Sequence, residues 1–269
     1  MYGAIIGDIA GSTLEFDESK VYDIPLFLPG SDITDDTIMT IAVAKALLQW
    51  REKGGDLAAY MVQQMQSLGR AYPCPMGAYG TKFKQWLSSS HPKPYYSCGN
   101  GSAMRVSPCG LMARSLEEAL ALAKISAEVT HDHPEGIKGA QATAAAVYLA
   151  RTGHSIGEIR DYIRGNFYPL DRTLEEIRPD YGFEPTCQKS VPESIQAFLE
   201  SESFEDALRK VLSLGGDADT MGAITGSIAW AYYGARGMTE TMKRLRCEAE
   251  SYLPEEFLET VREVERICE

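Results

Sequence analysis

No Cys-x-x-Cys pair occurs among the six cysteines, Cys74, Cys98, Cys109, Cys187, Cys247 and Cys268, which argues against a zinc site. Their scatter, and the lack of a secretory leader, lead to the expectation of reduced thiols in a cytoplasm. No apolar run is long enough to span a bilayer, so no membrane partner is expected. Net charge is −12, which argues against a general nucleic-acid or membrane-surface binder. Alternating strand patterns, internal repeats and Pro- or Ser-rich linkers are all missing, and Asn100-Gly101 sits in a glycine loop rather than between strand-like runs. One local absence stands out: from Leu57 onward no Asp or Glu occurs until Glu117, while Arg70, Lys82, Lys84, His91, Lys93, Arg105 and Arg114 all fall inside that window. A basic window in an acidic chain suits an anion-recognition surface; the plainer reading is a solvated face that balances the rest.

What is present reads as helices. Tyr2–Thr13, Ile38–Trp50, Leu57–Leu68, Ser115–Val129 and Glu135–Arg151 carry helical periodicity. So do Ile156–Arg164, Val191–Leu199, Phe204–Leu214, Met221–Tyr233 and Pro254–Ile267. The expected fold class is all-α, in one domain. Gly3, Gly7 and Gly11 recur every fourth residue and give the first helix one glycine face, which Glu15 continues. Gly222 and Gly226 repeat that spacing late in the chain. Two glycine-faced helices can cross closely, and such a crossing would bring Glu15 near Asp217 and Asp219.

Two acidic-hydroxyl clusters carry most of the information: Thr34-Asp35-Asp36-Thr37 and Asp217-Ala218-Asp219-Thr220, each followed directly by an apolar helix-like run. A helix N-cap explains one Asp or Thr per cluster and stabilises by about 1 kcal/mol. It does not explain two neighbouring carboxylates at both places, because uncompensated carboxylates repel and raise each other's pKa. A hard divalent cation removes that repulsion, and carboxylate and hydroxyl oxygens are its preferred ligands. An Asp-x-Asp-Thr sequence also opens phosphotransferases with an aspartyl nucleophile, but there it follows an early buried strand, whereas Phe204–Leu214 before it here reads as a helix.

Tyr95 to Arg105 forms a small-residue loop in the basic window, a type of segment whose free amides cradle phosphates. Tyr95 and Tyr96 are candidates for stacking on a base, and a simple turn at Asn100-Gly101 is the alternative. In Thr130-His131-Asp132-His133-Pro134, either histidine could contact a phosphate or a ribose hydroxyl, cap the helix that starts near Glu135, or bind a metal.

Taken together, Gly7-Asp8 through Gly11 to Glu15, Thr34-Asp35-Asp36-Thr37, Gly99-Asn100-Gly101-Ser102-Ala103-Met104-Arg105, Thr130-His131 and Gly216-Asp217-Ala218-Asp219-Thr220 occur in an order that resembles the ADP-ribosylglycohydrolases. That family includes the dinitrogenase-reductase-activating glycohydrolase and the eukaryotic ADP-ribosylhydrolases. The resemblance spans nearly the whole chain. It implies one compact orthogonal multi-helix domain over residues 1–269, with a cleft holding two divalent cations, Mg²⁺ or Mn²⁺. By the same resemblance Thr34, Asp35, Asp36, Asp217, Asp219 and Thr220 are the expected metal ligands. Ser97, Cys98, Gly99, Asn100 and Gly101 match the diphosphate-binding loop, His131 the histidine that contacts ADP-ribose, and Glu15 a catalytic or substrate-gating glutamate. Glu15 or Asp36 is the expected proton carrier.

The implied reaction is hydrolysis of the glycosidic bond between ADP-ribose and a protein side chain, a nucleobase or a small molecule, through an oxocarbenium-like state. ADP-ribosylated protein, small molecule or nucleic acid is the expected partner, and a monomer the expected state. Two alternatives stay open: a Mg²⁺-dependent nucleotide phosphohydrolase, and an inactive ADP-ribose-binding protein. One departure is clear. Some relatives carry an acidic residue shortly before the glycine loop, and this chain has none between Asp56 and Glu117.

Overall fold

The computed structural model describes residues 1–16 and 20–268. Its centre is a pair of helices from opposite ends of the sequence, α1 (Tyr2–Gly11) and a late helix over Ala218–Gly234, nearly every residue of which is buried. They run antiparallel in backbone contact. A Cβ on Gly3 would fall 2.1 Å from the Gly226 carbonyl oxygen, on Gly7 1.9 Å from that of Gly222, and on Gly11 2.3 Å from that of Ala218. The expected glycine crossing is therefore present, and it places the end of α1 beside the start of the late helix.

The remaining elements follow in chain order: α2 (Asp35–Lys53), α3 (Leu57–Ala71), α4 (Thr81–Ser88), α5 (Gly101–Met104), α6 (Ser107–Met112), α7 (Leu116–Glu128), α8 (Pro134–Arg151), α9 (Ile156–Asn166), α10 (Leu174–Ile177), α11 (Cys187–Leu199) and α12 (Phe204–Leu212). The late helix is α13, and α14 (Glu240–Glu250) and α15 (Glu255–Cys268) complete the chain. Beyond these helices the described residues form only two isolated backbone bridges, Thr34 to Met76 and Gly99 to Thr186. All ten expected helices are present. Five more, α4, α5, α6, α10 and α14, carry too short or too charged a pattern to stand out in the sequence.

Caps set the boundaries. Thr34 accepts the Asp36 amide and starts α2, which stops at Gly54 in the left-handed region (φ 67°). Asp56, Ser115 and Ser203 cap α3, α7 and α12 in the same way, and Ser155 with Glu158 forms a reciprocal capping box on α9. α8 buries a run of alanines, Ala140, Ala142, Ala144, Ala145 and Ala146, which lets its neighbours approach closely. α11 keeps its course although Pro192 lies inside it. A single apolar core runs through the whole bundle, from Met1 and Tyr2 to Val261 and Val264. No helix among the described residues is long and apolar enough to cross a membrane.

Candidate active site

The starts of α2 and α13, the end of α1 and the loop before α5 converge on one cleft of about 510 Å³. Two consecutive left-handed glycines, Gly215 (φ 70°) and Gly216 (φ 83°), turn the chain into α13. A Cβ on Gly216 would meet the Gly182 carbonyl oxygen at 2.7 Å, so only glycine fits there. This turn delivers Asp217, Asp219 and Thr220, all buried, to the cleft wall.

Asp8 fastens the two halves of the site. It is fully buried in α1 and accepts the amides of Thr34 and Thr37, each at 3.0 Å, and the Thr34 hydroxyl at 2.7 Å. Two carboxylate triads result. Asp8, Asp36 and Asp219 bring oxygens within 4.8 Å of one another, and so do Glu15, Asp217 and Asp219. Asp219 belongs to both. The Thr220 hydroxyl donates to Asp36 Oδ2 at 3.3 Å and bridges the two sequence clusters. The other oxygen, Asp36 Oδ1, is buried with no hydrogen-bond partner.

The electrostatics follow from this crowding. Burial, then Asp8, Asp35 and Asp217, raise the Asp36 carboxyl well above its ordinary value. Burial, then Asp36 and Asp217, do the same for Asp219. Asp8 is pushed up to about 6 by burial, against the hydrogen bonds it accepts. Glu15 is pushed up to about 7 by burial, Asp217 and Asp8. No Lys or Arg among the described residues forms an ion pair with any of these groups. A buried, mutually repelling oxygen set with an orphaned Asp36 Oδ1 fits a hard divalent cation, and the residues present are able to hold one.

The expected ligands divide on inspection. Asp36, Asp217 and Asp219 sit in the triads, and Thr220 touches them. Asp35 lines the cleft but stands outside both triads. Thr34 is fully buried, and its hydroxyl is engaged by Asp8. The sequence reading left Asp8 out of the ligand set. Its signal was a charged residue between two glycines of an otherwise apolar helix, a position that burial alone never favours.

The small-residue loop meets the acids directly. Asn100 Nδ2 donates to Asp217 Oδ2 at 2.7 Å, which ties the loop to the second triad. Ser97, Gly99, Asn100 and Gly101 line the cleft, while Cys98 turns its backbone to α11, accepting the Cys187 amide. The amide of Gly101, which lines the cleft, donates to no described residue and so is free for an anion.

His131 stands over this loop: a Cβ on Gly101 would lie 3.3 Å from His131 Nε2, and one on Gly99 3.5 Å. Burial and then the nearby Arg105 lower its pKa well below the ordinary value, so the ring is neutral. Arg105, which can only donate, points at the Thr130 hydroxyl oxygen (2.7 Å), and that hydroxyl contacts His131 Nδ1 at 2.6 Å. The arrangement favours Thr130 donating to Nδ1, which leaves the proton on Nε2, where it can be given to a ligand oxygen.

The basic window does not behave as one anion surface. Arg105, expected there, is buried and holds Ser126 and Thr130 in place. Arg70 bonds the Leu87 carbonyl. The window instead supplies the opposite cleft wall, Gly77 to Phe83, with Lys82 as its charged member. A Cβ on Gly77 (φ 75°) would lie 2.8 Å from Glu15 Oε2. Tyr95 lines the cleft and packs on His131, whereas Tyr96 is 64% exposed and sets its edge on His133. His133 caps α8 and takes no part in the acidic groups. Tyr79, Phe83 and Phe183 are further aromatic walls that the sequence did not single out.

Fold and site define a class: an all-α protein whose buried carboxylates and glycine loop share one cleft. Comparison with known proteins gives the family. The chain matches the ADP-ribosylglycohydrolase description over residues 1–267, belongs to that family, and is a glycohydrolase. It is 28% identical to human ADP-ribosylhydrolase ARH3, over 91% of this chain and 87% of that protein. It is also 28% identical to the ADP-ribosyl-[dinitrogen reductase] glycohydrolase of Rhodospirillum rubrum, over 86% and 83%. Identity to the ADP-ribosylarginine hydrolase Tri1 of Pseudomonas putida (strain GB-1) is 26%, over 88% and 70%. A solved structure described as an ADP-ribosylglycohydrolase-related protein complex superposes with a TM-score of 0.69 at 26% identity, covering 93% of this chain and 92% of that one.

Proposed function

We propose that this chain hydrolyses the glycosidic bond between ADP-ribose and a protein side chain, a nucleobase or a small molecule, releasing ADP-ribose. The observation that carries this reading is the pair of carboxylate triads sharing Asp219 beside the Ser97–Gly101 loop in one cleft. Two triads with one common member suit two adjacent divalent cations, Mg²⁺ or Mn²⁺. Asp8, Asp36 and Asp219 would hold one, and Glu15, Asp217 and Asp219 the other, with Asp35, Thr34 and Thr220 close by. Bound cations would fix ribose hydroxyls and acidify a water.

The chain's own groups do the rest. The free Gly101 amide of the loop, with the Nε2 proton of His131, binds the diphosphate oxygens and positions the anomeric carbon. The bond from that carbon to the leaving nitrogen or oxygen breaks, a water oxygen takes its place, and the water's proton passes to the leaving group. Carboxylates beneath the carbon stabilise the positive charge that develops on it. Glu15 is the first candidate for the proton carrier, because its half-buried carboxyl lines the cleft and is the least buried member of the two triads. Asp36 sits deeper and accepts the Thr220 hydroxyl, which makes it the second.

Six free thiols support a reducing compartment such as the cytoplasm. Product analysis on a panel of ADP-ribosyl conjugates, with Mg²⁺ and with Mn²⁺, tests the reading. Free ADP-ribose is expected. AMP with ribose phosphate would mean phosphohydrolysis instead, and tight binding of every conjugate without turnover would mean a binding protein.

A further inference from the structure

A second cavity, of about 330 Å³, lies against α10 and one face of α11 and shares no lining residue with the acidic cleft. Its walls combine an apolar part, Pro169, Leu170, Ile177 and Pro192, with the polar side chains of Asp171, Arg172 and Gln188 and of three more, Tyr168, Glu193 and Gln196. Each of the three carries a buried oxygen without a hydrogen-bond partner: the Tyr168 hydroxyl, Glu193 Oε2 and Gln196 Oε1. Tyr168 is only 3% exposed and Gln196 only 8%.

Gln196 Oε1 can only accept, Glu193 Oε2 accepts when its carboxyl is ionised, and the Tyr168 hydroxyl can accept or donate. Gln196 Nε2 donates to Glu200 Oε1 at 2.6 Å, and a carboxylate oxygen can only accept, so the amide cannot turn its nitrogen toward the cavity without losing that bond. Glu193 makes no ion pair with the described residues, and burial pushes its carboxyl up to about 7. Arg172 also lines the cavity; its Nη2 donates to the Glu176 carbonyl oxygen, and its charge acts against the rise of the Glu193 carboxyl without cancelling it. Folded proteins leave few buried polar atoms unsatisfied, and three on one cavity wall call for an occupant rich in donors.

We propose that this cavity binds a small organic cation whose head carries several N–H donors, an alkylguanidinium or alkylammonium group. The head would meet Gln196 Oε1 and the Tyr168 oxygen and neutralise Glu193. Its alkyl stem would rest on Pro169, Leu170 and Pro192. An anion could pair with Arg172 but would leave Gln196 Oε1 and Glu193 Oε2 without a donor. A cation without N–H donors would satisfy the charge but none of the hydrogen bonds. The inference does not rest on the hydrolase reading, since neither cavity contributes a residue to the other.

Calorimetry and side-chain NMR on the full chain test it with ethylguanidinium and butylammonium, against tetramethylammonium and acetate. Saturable one-site binding of the first two is expected, with shifts at the Tyr168 ring and the Gln196 amide, and none for the controls. Glu193→Gln should weaken ethylguanidinium binding at least tenfold, and Tyr168→Phe several-fold, while circular dichroism stays unchanged. Tighter binding of an arginine-containing peptide than of ethylguanidinium would support the site and assign the source to a protein side chain; weaker binding would support a free metabolite. Should Glu193→Gln not fold, the wild-type shift map and Tyr168→Phe decide. Shifts confined to the acidic cleft, absence of saturable binding, or unchanged affinity in a folded Glu193→Gln would overturn the proposal.

Discussion

At the residue scale, the site depends on carboxylates that are costly without a partner. In the metal-free chain Asp8 and Glu15 are pushed up to about 6 and about 7 from their ordinary 3.8 and 4.5, and Asp35, Asp36 and Asp219 are raised well above theirs. The native state therefore binds more protons than the unfolded chain across this window. Its stability falls as pH rises from about 4 to about 7. Thermal scans should show a higher midpoint at pH 5 than at pH 7.5 without metal. Mn²⁺ should restore much of the loss at pH 7.5, and Asp219→Asn should shrink both effects. A midpoint that climbs steadily to pH 7.5 without metal would mean the carboxylates are already compensated. Glu15→Gln keeps shape and removes the charge; steady-state kinetics on a verified substrate should show kcat falling far more than ADP-ribose affinity. Turnover within a few-fold of wild type would move the proton-carrier role to Asp36. Both acidic clusters were legible because two neighbouring carboxylates exceed what capping requires. Asp8 was not, since its role exists only once α1 crosses α13 and meets the start of α2. Arg105 misled for a similar reason: a charge in a basic stretch reads as surface until Ser126 and Thr130 surround it.

At the element scale, the α1–α13 crossing sets the distance between the triads. Gly7→Ala would place a methyl 1.9 Å from the Gly222 carbonyl oxygen, with backbone on both sides and nothing able to yield. It should destabilise by about 3 kcal/mol, the upper range for overpacking, in denaturant titrations. Gly165→Ala in α9, where a Cβ meets nothing within 4 Å, should instead stabilise by about 0.5 kcal/mol. Equal effects of the two would mean that the close crossing does not hold the fold. This contact was readable from glycines at every fourth position at both ends of the chain. The wall formed by Gly77 to Phe83 was not, because nothing local marks those residues as neighbours of Glu15. The Ser97–Gly101 loop is the other element under test. A side chain at Gly99 would crowd Ser97 Oγ (3.2 Å) and His131 Nε2 (3.5 Å). Gly99→Val should weaken ADP-ribose binding about tenfold, some ~1.4 kcal/mol, by calorimetry.

At the scale of the whole molecule, the chain folds so that its first fifteen residues and a segment more than two hundred residues later complete one another. The fold class was visible because helical periodicity runs nearly unbroken and strand patterns are missing. The cleft's full outline was not, because it draws on seven separate segments with no shared local signal. The central claim is that carboxylates from the two chain ends form one cation centre. Manganese binding to the purified chain, followed by calorimetry and electron paramagnetic resonance, tests it most directly. Two ions per chain with a spin-coupled signal are predicted, with Asp36→Asn and Asp219→Asn each abolishing the coupling although their positions are 183 residues apart in sequence. No stoichiometric binding, or a signal that survives both substitutions, would contradict the account.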